Sequence, residues 1–191
     1  KLCIRRVGNK VTAAVDVNNC VSLNTIYNCH IKSSDKLGYW GLAAILNSNL
    51  VNYWFYKVFI LDDALFPYQR VSQLEKIPIN KNFKNKSLNL LSALMHFKSD
   101  SVINTILNAF IFNIYFPDHM KERGIDVLEF VEQDIYDVMQ GREFEKLSDA
   151  EKEQVIEDLH TKWSHPDNEV VKRMAMFKEK SPDILKPILE S

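Results

Sequence analysis

The chain has 191 residues, of which 46% are hydrophobic and 26% charged, with a formal net charge of −1 at neutral pH. No apolar run reaches the roughly 18 residues that a membrane-spanning helix needs, so we expect a soluble, cytoplasmic protein. The five glycines are not spaced as in a phosphate-binding loop, which excludes P-loop nucleotidases and the Rossmann dinucleotide fold. Three cysteines without C-x-x-C spacing favour reduced thiols over disulfides or a structural zinc site.

Charge and sequence texture divide the chain near residue 80. Residues 1–80 contain nine Lys or Arg and five Asp or Glu, a net charge of +4, whereas the remaining residues carry −5. The basic run 81–86 separates a mixed strand-and-helix pattern from a purely helical one. These changes predict two domains, 1–80 and 81–191, in an α+β fold where a small mixed α/β domain precedes an all-helical region. Because the chain starts with Lys1 inside a predicted strand, we expect a fragment of a larger protein.

Three strands are predicted near the N-terminus. Residues 2–7 and 12–17 are short apolar runs on either side of a Gly8-Asn9-Lys10 turn signature, which is typical of a β-hairpin. Residues 21–31 alternate in character and predict a third strand. The face expected in the core carries Val21, Leu23, Thr25, Tyr27, Cys29 and Ile31, and the polar face carries Ser22, Asn24, Asn28 and His30.

Helical patterns take over at Lys36. The run Asn47-Ser48-Asn49 predicts a helix stop followed by a new N-cap, and residues 50–59 define a wide apolar helix face. Residues 62–70 read as a loop. Ser72 with Glu75 predicts the capping box of a short helix that Pro78 ends.

The second half predicts consecutive helices. They cover about 87–97, 101–116 and 126–139, with Pro117 and Gly141 as stop signals. Ser148 and Glu151 form a capping box for a further helix, which the run 165–167 ends. A helix through residue 177 and a last one from residue 181 complete the pattern.

No catalytic constellation is evident in the sequence. The H-E-x-x-H motif and the nucleophile elbow are absent, and the histidines are scattered. Pro166-Asp167 with Glu169 and Lys172 departs from a metal-dependent nuclease core, because Glu and Lys stand three positions apart in a helical segment. We therefore expect no catalytic residue, metal site or cofactor in this chain.

The N-terminal half instead carries side chains of the kinds that read DNA. Arg, Lys, Asn and Gln fit phosphates and base edges. Arg5 and Arg6 are adjacent on a strand and point to opposite faces, so at most one of them lies directly on a given surface. Lys10 lies in the hairpin turn, and Asn24 and Asn28 lie on the polar face of the third predicted strand.

The segment Tyr68-Gln69-Arg70 is the second candidate contact region. It lies on a loop between a proline and the predicted capped helix, and a loop held at both ends presents side chains at low entropic cost. Gln69 and Arg70 fit adenine and guanine edges respectively. The alternative is that Arg70 pairs with Asp62 or Asp63 and that Tyr68 packs on the core.

Three blocks of the first 80 residues resemble the TaqI-like C-terminal specificity domain. The runs IRRVGNK and VSLNTIY resemble its opening, LNSNLVNY its helix–break–helix centre, and FPYQRVSQL with Ile77-Pro78-Ile79 its closing segment. Residues 111–117 are similar to helical tails that often follow this domain in restriction–modification proteins.

The resemblance implies a target recognition domain that binds double-stranded DNA. In this family it follows an adenine-specific methyltransferase domain of the same chain, within a type II restriction–modification protein. That parent would use S-adenosylmethionine, with magnesium if it also cleaves DNA. The Asn/Asp-Pro-Pro-Tyr/Phe motif of such a methyltransferase is missing here, so this chain is expected to position DNA rather than modify it. The candidate DNA contacts are Arg5, Arg6, Lys10, Asn24, Asn28, Tyr68, Gln69 and Arg70.

An alternative from another class is a helical protein–protein interaction module with no nucleic-acid role. The acidic, helical second half supports it, since negative charge repels phosphate. A positive face on residues 1–80 favours the DNA-binding hypothesis over this one.

Overall fold

The computed structural model describes residues 1–31, 38–59, 68–80 and 85–191. The chain forms two compact units, Lys1–Asn85 and Lys86–Ser191. The division therefore falls at the end of the basic connector rather than at residue 80. As a result, the first unit carries eleven Lys or Arg and five Asp or Glu, and the second thirteen and twenty.

A three-stranded antiparallel sheet opens the first unit. Its central strand β1 (Leu2–Arg5) pairs with β2 (Ala13–Val15) on one side and with β3 (Ile26–Cys29) on the other. This pairing confirms the predicted hairpin. The helices described in this unit are α1 (Gly38–Asn47), α2 (Asn49–Phe59) and α3 (Val71–Leu74).

One face of the sheet lies in the core of the unit. Alternation along the strands directs Leu2, Ile4, Ala13 and Val15 to this face, where each is less than a tenth exposed. On α2, Val58 is 43% exposed, so the buried face is narrower than predicted. The buried helical residues that complete this core are Ala43, Ala44, Ile45, Leu46, Leu50, Val51 and Phe55.

The third strand is shorter than predicted, and part of its expected core face is wrong. Val21 is 98% exposed and Leu23 is 78% exposed. The reason is the register, because β3 pairs with the four residues of β1, and in the part of the chain that the structure describes no strand pairs with the residues before Thr25. Residues 23–26 turn instead, with the Ile26 amide donating to the Leu23 carbonyl at 3.1 Å.

The helix break closes the outer edge of β2. Ser48 Oγ accepts a hydrogen bond from the Val51 amide at 3.2 Å, which confirms the predicted N-cap. Asn47, on one side of the break, bonds both backbone groups of Ala13, and Asn52, on the other, bonds both backbone groups of Val11. Two side-chain amides thus occupy the positions that a fourth strand would take.

The second unit contains helices and one 3₁₀ turn in its described residues. Helix α5 is buried along most of its length, as its apolar pattern predicts, and it packs against α4, α6, α7 and α8. The elements are α4 (Lys86–Phe97), α5 (Ser101–Tyr115), α6 (Pro117–Glu122), α7 (Leu128–Met139), the 3₁₀ turn (Phe144–Lys146), α8 (Asp149–Ser164), α9 (Glu169–Ala175), α10 (Phe177–Lys180) and α11 (Leu185–Leu189). The α+β class with a helical second half is therefore confirmed.

Two helix boundaries differ from the sequence pattern. Pro117 ends α5 as predicted but also begins α6, which the pattern does not predict. Helix α7 begins at Leu128 rather than at residue 126, because Asn113 Oδ1 accepts the amides of Val127 and Leu128 at 2.6 and 3.3 Å. A side chain from α5 therefore caps α7.

The predicted capping box of α8 is confirmed. The Ser148 amide donates to Glu151 Oε2 at 2.8 Å, and the Glu151 amide donates to Ser148 Oγ at 3.4 Å. Within the ranges described, no helix combines the length and the apolar character that crossing a membrane requires.

Candidate nucleic-acid interface

A backbone bridge brings the second candidate region onto the end of the sheet. Val7 and Tyr68 form an isolated antiparallel bridge, and the Gln69 amide donates to the Arg6 carbonyl at 2.8 Å. The segment 68–70 therefore lies against the chain that leaves β1 and turns towards β2. Candidates about sixty residues apart in the sequence thus lie in one region. We call this region the sheet-end cluster, and its members are Arg5, Arg6, Lys10, Asn24, Tyr68, Gln69 and Arg70.

Gln69 is the buried centre of the sheet-end cluster. Its side chain is 2% exposed, and Nε2 donates to the carbonyls of Gly8 at 3.1 Å and Lys10 at 2.7 Å. Its Oε1 has no hydrogen-bond partner among the residues described. In this arrangement the amide joins the hairpin turn to the segment 68–70 and is not presented to a base edge.

Arg6 is the second internal member. Its Nη1 donates to the Asn24 carbonyl at 2.6 Å, and its guanidinium lies 5.0 Å from the ring centroid of Tyr27. Tyr27 in turn donates its hydroxyl to the Gln69 carbonyl at 3.0 Å. Arg6 is thereby held by backbone and ring contacts, as expected for one member of the Arg5–Arg6 pair.

Arg5 and Lys10 are the exposed cations of the hairpin. Arg5 lies on the outward face of β1, and its guanidinium covers Gly8. A Cβ on Gly8 would lie 2.6 Å from Arg5 Nη2, and the φ of +143° at this position is one that residues with side chains rarely adopt. Gly8 therefore allows the turn and the close approach of Arg5 to exist together.

Tyr68 and Arg70 present their side chains outwards from a fixed backbone. Tyr68 is 67% exposed, which overturns the alternative in which it packs on the core. Arg70 is exposed, and its amide donates to Gln73 Oε1 at 2.8 Å. Asp62 and Asp63, the alternative partners of Arg70, lie outside the described residues.

The capping box predicted from Ser72 and Glu75 is wrong. Helix α3 begins at Val71, so the side chain that returns to its first turn is that of Gln73. The earlier start has a tertiary cause, because the pairing of residues 68 and 69 with the end of β1 sets where the chain can begin to coil.

Asn24 and Asn28 do not share one strand face. Asn24 lies in the turn before β3, where its carbonyl is bonded to Arg6 and its side chain is exposed. Asn28 is opposite Cys3 on the outward face, and its Nδ2 donates to Ser22 Oγ at 2.7 Å. Asn28 therefore lies two residues along the strand from the sheet-end cluster.

Two supporting residues were not among the predicted candidates. The strand pattern predicts a core position for Tyr27, yet its hydroxyl and ring connect Gln69 with Arg6. For Gly8 the sequence predicts only a turn. A tyrosine within a strand and a glycine beside paired arginines were the available signals, but the contacts themselves depend on long-range pairing.

The remaining polar clusters of the described residues show no catalytic arrangement. Among the described residues, no three His, Cys, Asp or Glu side chains are grouped so that they could hold a metal ion. Burial raises the pKa of the Cys29 thiol, which disfavours the nucleophilic thiolate. His119 and Ser181 are 2.7 Å apart, but Ser181 is fully buried and its Oγ accepts the Leu185 amide.

A family model matches the N-terminal part of the chain. It is the TaqI-like C-terminal specificity domain, and the match covers residues 1–79. No curated protein and no solved structure matches the chain significantly. The matched range contains β1, β2 and β3 and all eight candidate DNA contacts, and it confirms the resemblance of the three sequence blocks. Residues 1–79 are therefore similar to the TaqI-like C-terminal specificity domain, a similarity that suggests a DNA-recognition role in restriction–modification for this part of the chain.

Proposed function

We propose that the N-terminal unit binds double-stranded DNA through the sheet-end cluster and positions it for adenine methylation by another domain of the same protein. The observation that carries this proposal is the Val7–Tyr68 bridge. It joins the backbone that carries exposed Tyr68 and Arg70 to the chain between the exposed cations of the hairpin, Arg5 and Lys10.

The cluster divides into two kinds of residue. Arg5, Lys10 and Arg70 are exposed cations suited to phosphate oxygens or guanine edges. Arg6 and Gln69 bond the protein's own carbonyls and act as positioning residues. Asn24 and Tyr68 supply an exposed amide and an exposed ring, and Asn28 extends the surface along β3.

The charge of the unit supports an anionic ligand. Eleven Lys or Arg against five Asp or Glu give the first unit a net charge of +6, two more than residues 1–80 alone because the connector adds lysines. Such an excess attracts a polyanion in a salt-dependent manner. The acidic helical unit is then better suited to contact protein than phosphate.

The identity of the catalytic partner is proposed from the family that residues 1–79 resemble. We propose that the catalytic partner is an upstream, S-adenosylmethionine-dependent adenine methyltransferase domain of a type II restriction–modification protein acting in the cytoplasm. Methylation of a base inside a duplex requires that the base be extruded. A separate module that binds the flanking duplex meets this requirement. The N-terminal unit, with its sheet-end cluster, is such a module.

The direct test is a fluorescence anisotropy titration of the 191-residue chain with a labelled duplex at several salt concentrations. Each phosphate contact contributes a slope of about −0.9 in log affinity against log salt. With three exposed cations in the cluster, we expect a slope of roughly −2 to −3. Arg5→Ala and Lys10→Ala should each make the slope shallower by about one.

A matched control separates local contacts from overall charge. Lys146→Ala removes an exposed lysine that pairs with Glu143 in the helical unit, and it should leave the slope unchanged. Absence of binding at low salt would contradict the proposal and favour the protein–protein interaction module. An equal effect of all three substitutions would assign binding to general electrostatics.

A further inference from the structure

An exposed apolar surface adjoins the sheet-end cluster. Val21 and Leu23 are 98% and 78% exposed, which is unusual for two apolar residues so close in the chain. Beside them lies a shallow depression of about 390 Å³ on the outward side of the sheet. Val21 and Leu23 line it together with other apolar residues such as Ala14 and Ile26, and Asp16 also belongs to the lining.

The backbone that presents Leu23 is held on both sides. On one side, the Ser22 hydroxyl is bonded to the Asn28 amide. On the other, Arg6 bonds the Asn24 carbonyl through its guanidinium and the Thr25 carbonyl through its amide, at 2.6 and 2.9 Å. An ordered turn therefore holds Leu23 at the surface. Because its backbone is already fixed, less conformational entropy is lost when a ligand contacts it.

The register places this surface next to a cation. Arg5 and Ile26 are Cα partners across β1 and β3, so their side chains leave the same face of the sheet side by side. The Ile26 amide is bonded to the Leu23 carbonyl. Leu23 is therefore joined through one turn of the chain to Ile26, the cross-strand partner of Arg5.

We infer that Leu23, with Val21, is an apolar contact element of the DNA interface, packing on deoxyribose and base edges in the groove beside the phosphate contacted by Arg5. The inference rests on the proposed DNA-binding function. Charge complementarity favours this ligand, since Arg5 stands beside Ile26, which lines the depression, and the acidic lining residue Asp16 is paired with Lys1 at 3.2 Å. Apolar side chains in protein–DNA interfaces contact thymine methyl groups and sugars in this manner.

The test compares salt titrations of two variants of the 191-residue chain with labelled duplex. Leu23→Ser removes apolar area without removing charge, so we expect about tenfold weaker binding at every salt concentration and an unchanged slope. Arg5→Ala should instead change the slope by about one. Val58→Ser, an exposed valine on α2, is the matched control and should bind like the original chain.

The outcomes separate this inference from the proposed function. If the original chain binds with the expected slope and Leu23→Ser binds equally well, the inference alone is wrong. If the original chain does not bind, both fail. Loss of self-association in sedimentation, with DNA affinity unchanged, would assign the surface to a protein contact and overturn the inference. Thermal melting of each variant confirms that the exposed substitutions leave the fold intact.

Discussion

The side-chain amide of Asn47 pairs with both backbone groups of Ala13. Asn47 Oδ1 accepts the Ala13 amide at 2.9 Å, and its Nδ2 donates to the Ala13 carbonyl at 2.7 Å. Ala13 belongs to the edge strand β2, whose outward backbone groups would otherwise be left to water or to another chain. The break between α1 and α2 therefore satisfies backbone groups of the sheet edge as well as ending one helix and starting the next.

Replacement of Asn47 should destabilise the sheet edge. Asn47→Ala removes both hydrogen bonds, at an expected cost of about 1 kcal/mol in the free energy of unfolding. Asn47→Asp should cost more, because it keeps the acceptor for the amide but sets a carboxylate against the Ala13 carbonyl. Chemical denaturation monitored by circular dichroism measures both. A cost of Asn47→Asp below that of Asn47→Ala would contradict the pairing.

Gln69 should affect DNA binding without affecting sequence preference. Gln69→Leu removes the donors to the Gly8 and Lys10 carbonyls, which should lower the free energy of unfolding by about 1–3 kcal/mol. Because the amide holds the turn in place and is buried, affinity should fall by the same factor for all DNA sequences. Binding measured on a panel of single-base variants, below the melting temperature of the variant, checks this. A change in sequence preference at one base position would instead show that Gln69 contacts a base.

Arg70 should behave differently on the same panel. Its side chain is exposed and its amide donates to Gln73 Oε1, so a held backbone presents the guanidinium at the surface. Arg70→Ala should relax discrimination at one position by about 1–3 kcal/mol if the contact is bidentate to guanine. A uniform loss with a shallower salt slope would show a phosphate contact instead, and Lys146→Ala again controls for charge.

Asp100 should make the stability of the helical unit pH-dependent. Burial alone would raise the pKa of this carboxyl, but hydrogen bonds from the Ile103 amide, from His160 and from the Val102 amide outweigh burial and lower its pKa. A carboxyl with a lowered folded-state pKa stabilises the protein above its unfolded pKa, and this contribution is lost as pH falls through the folded value.

We therefore expect the stability advantage of the original chain over Asp100→Asn to shrink between about pH 5 and pH 2. Asparagine preserves an N-cap, so the comparison isolates the ionised carboxylate. Thermal melting across this range measures the difference. His160→Ala should weaken the pH dependence without removing it, because the two backbone amides remain. A constant difference at all pH values would rule out the carboxylate as the cause.

The chain alone should neither methylate nor cleave DNA. It has no Pro-Pro dipeptide from which the methyltransferase tetrapeptide could be built, and its described residues hold no three-residue metal cluster. Incubation with labelled S-adenosylmethionine and with magnesium should leave plasmid DNA unlabelled and intact. Methyl transfer that a substitution in this chain abolishes would overturn this expectation.

Local signals were sufficient where the structure is itself local. The N-cap at Ser48 and the capping box of Ser148 and Glu151 depend on contacts within a few residues. Their positions were therefore predictable from residue type and spacing. The third strand was not, because its length is set by β1, a partner twenty residues earlier.

The candidate site shows the same difference between what local sequence predicts and what long-range contacts decide. Residue type indicated which side chains suit DNA, but exposure decided which of them are presented. Arg5 and Arg6 are neighbours of identical chemistry, yet Arg6 is held by Asn24 and Tyr27 while Arg5 remains exposed. Gln69 and Arg70 are likewise adjacent, and burial separates their roles.

The sequence by itself determined the α+β class, the similarity of the first 79 residues to the specificity-domain family and the contrast between a basic and an acidic half, since composition, periodicity and motif order carry these properties. Only the tertiary structure decided which candidate residues meet. The Val7–Tyr68 bridge joins segments sixty residues apart, and such pairing depends on closing a long loop and burying Gln69 beneath it. The free energy of this pairing depends on both segments and on the loop between them, so no single segment of the sequence predicts it.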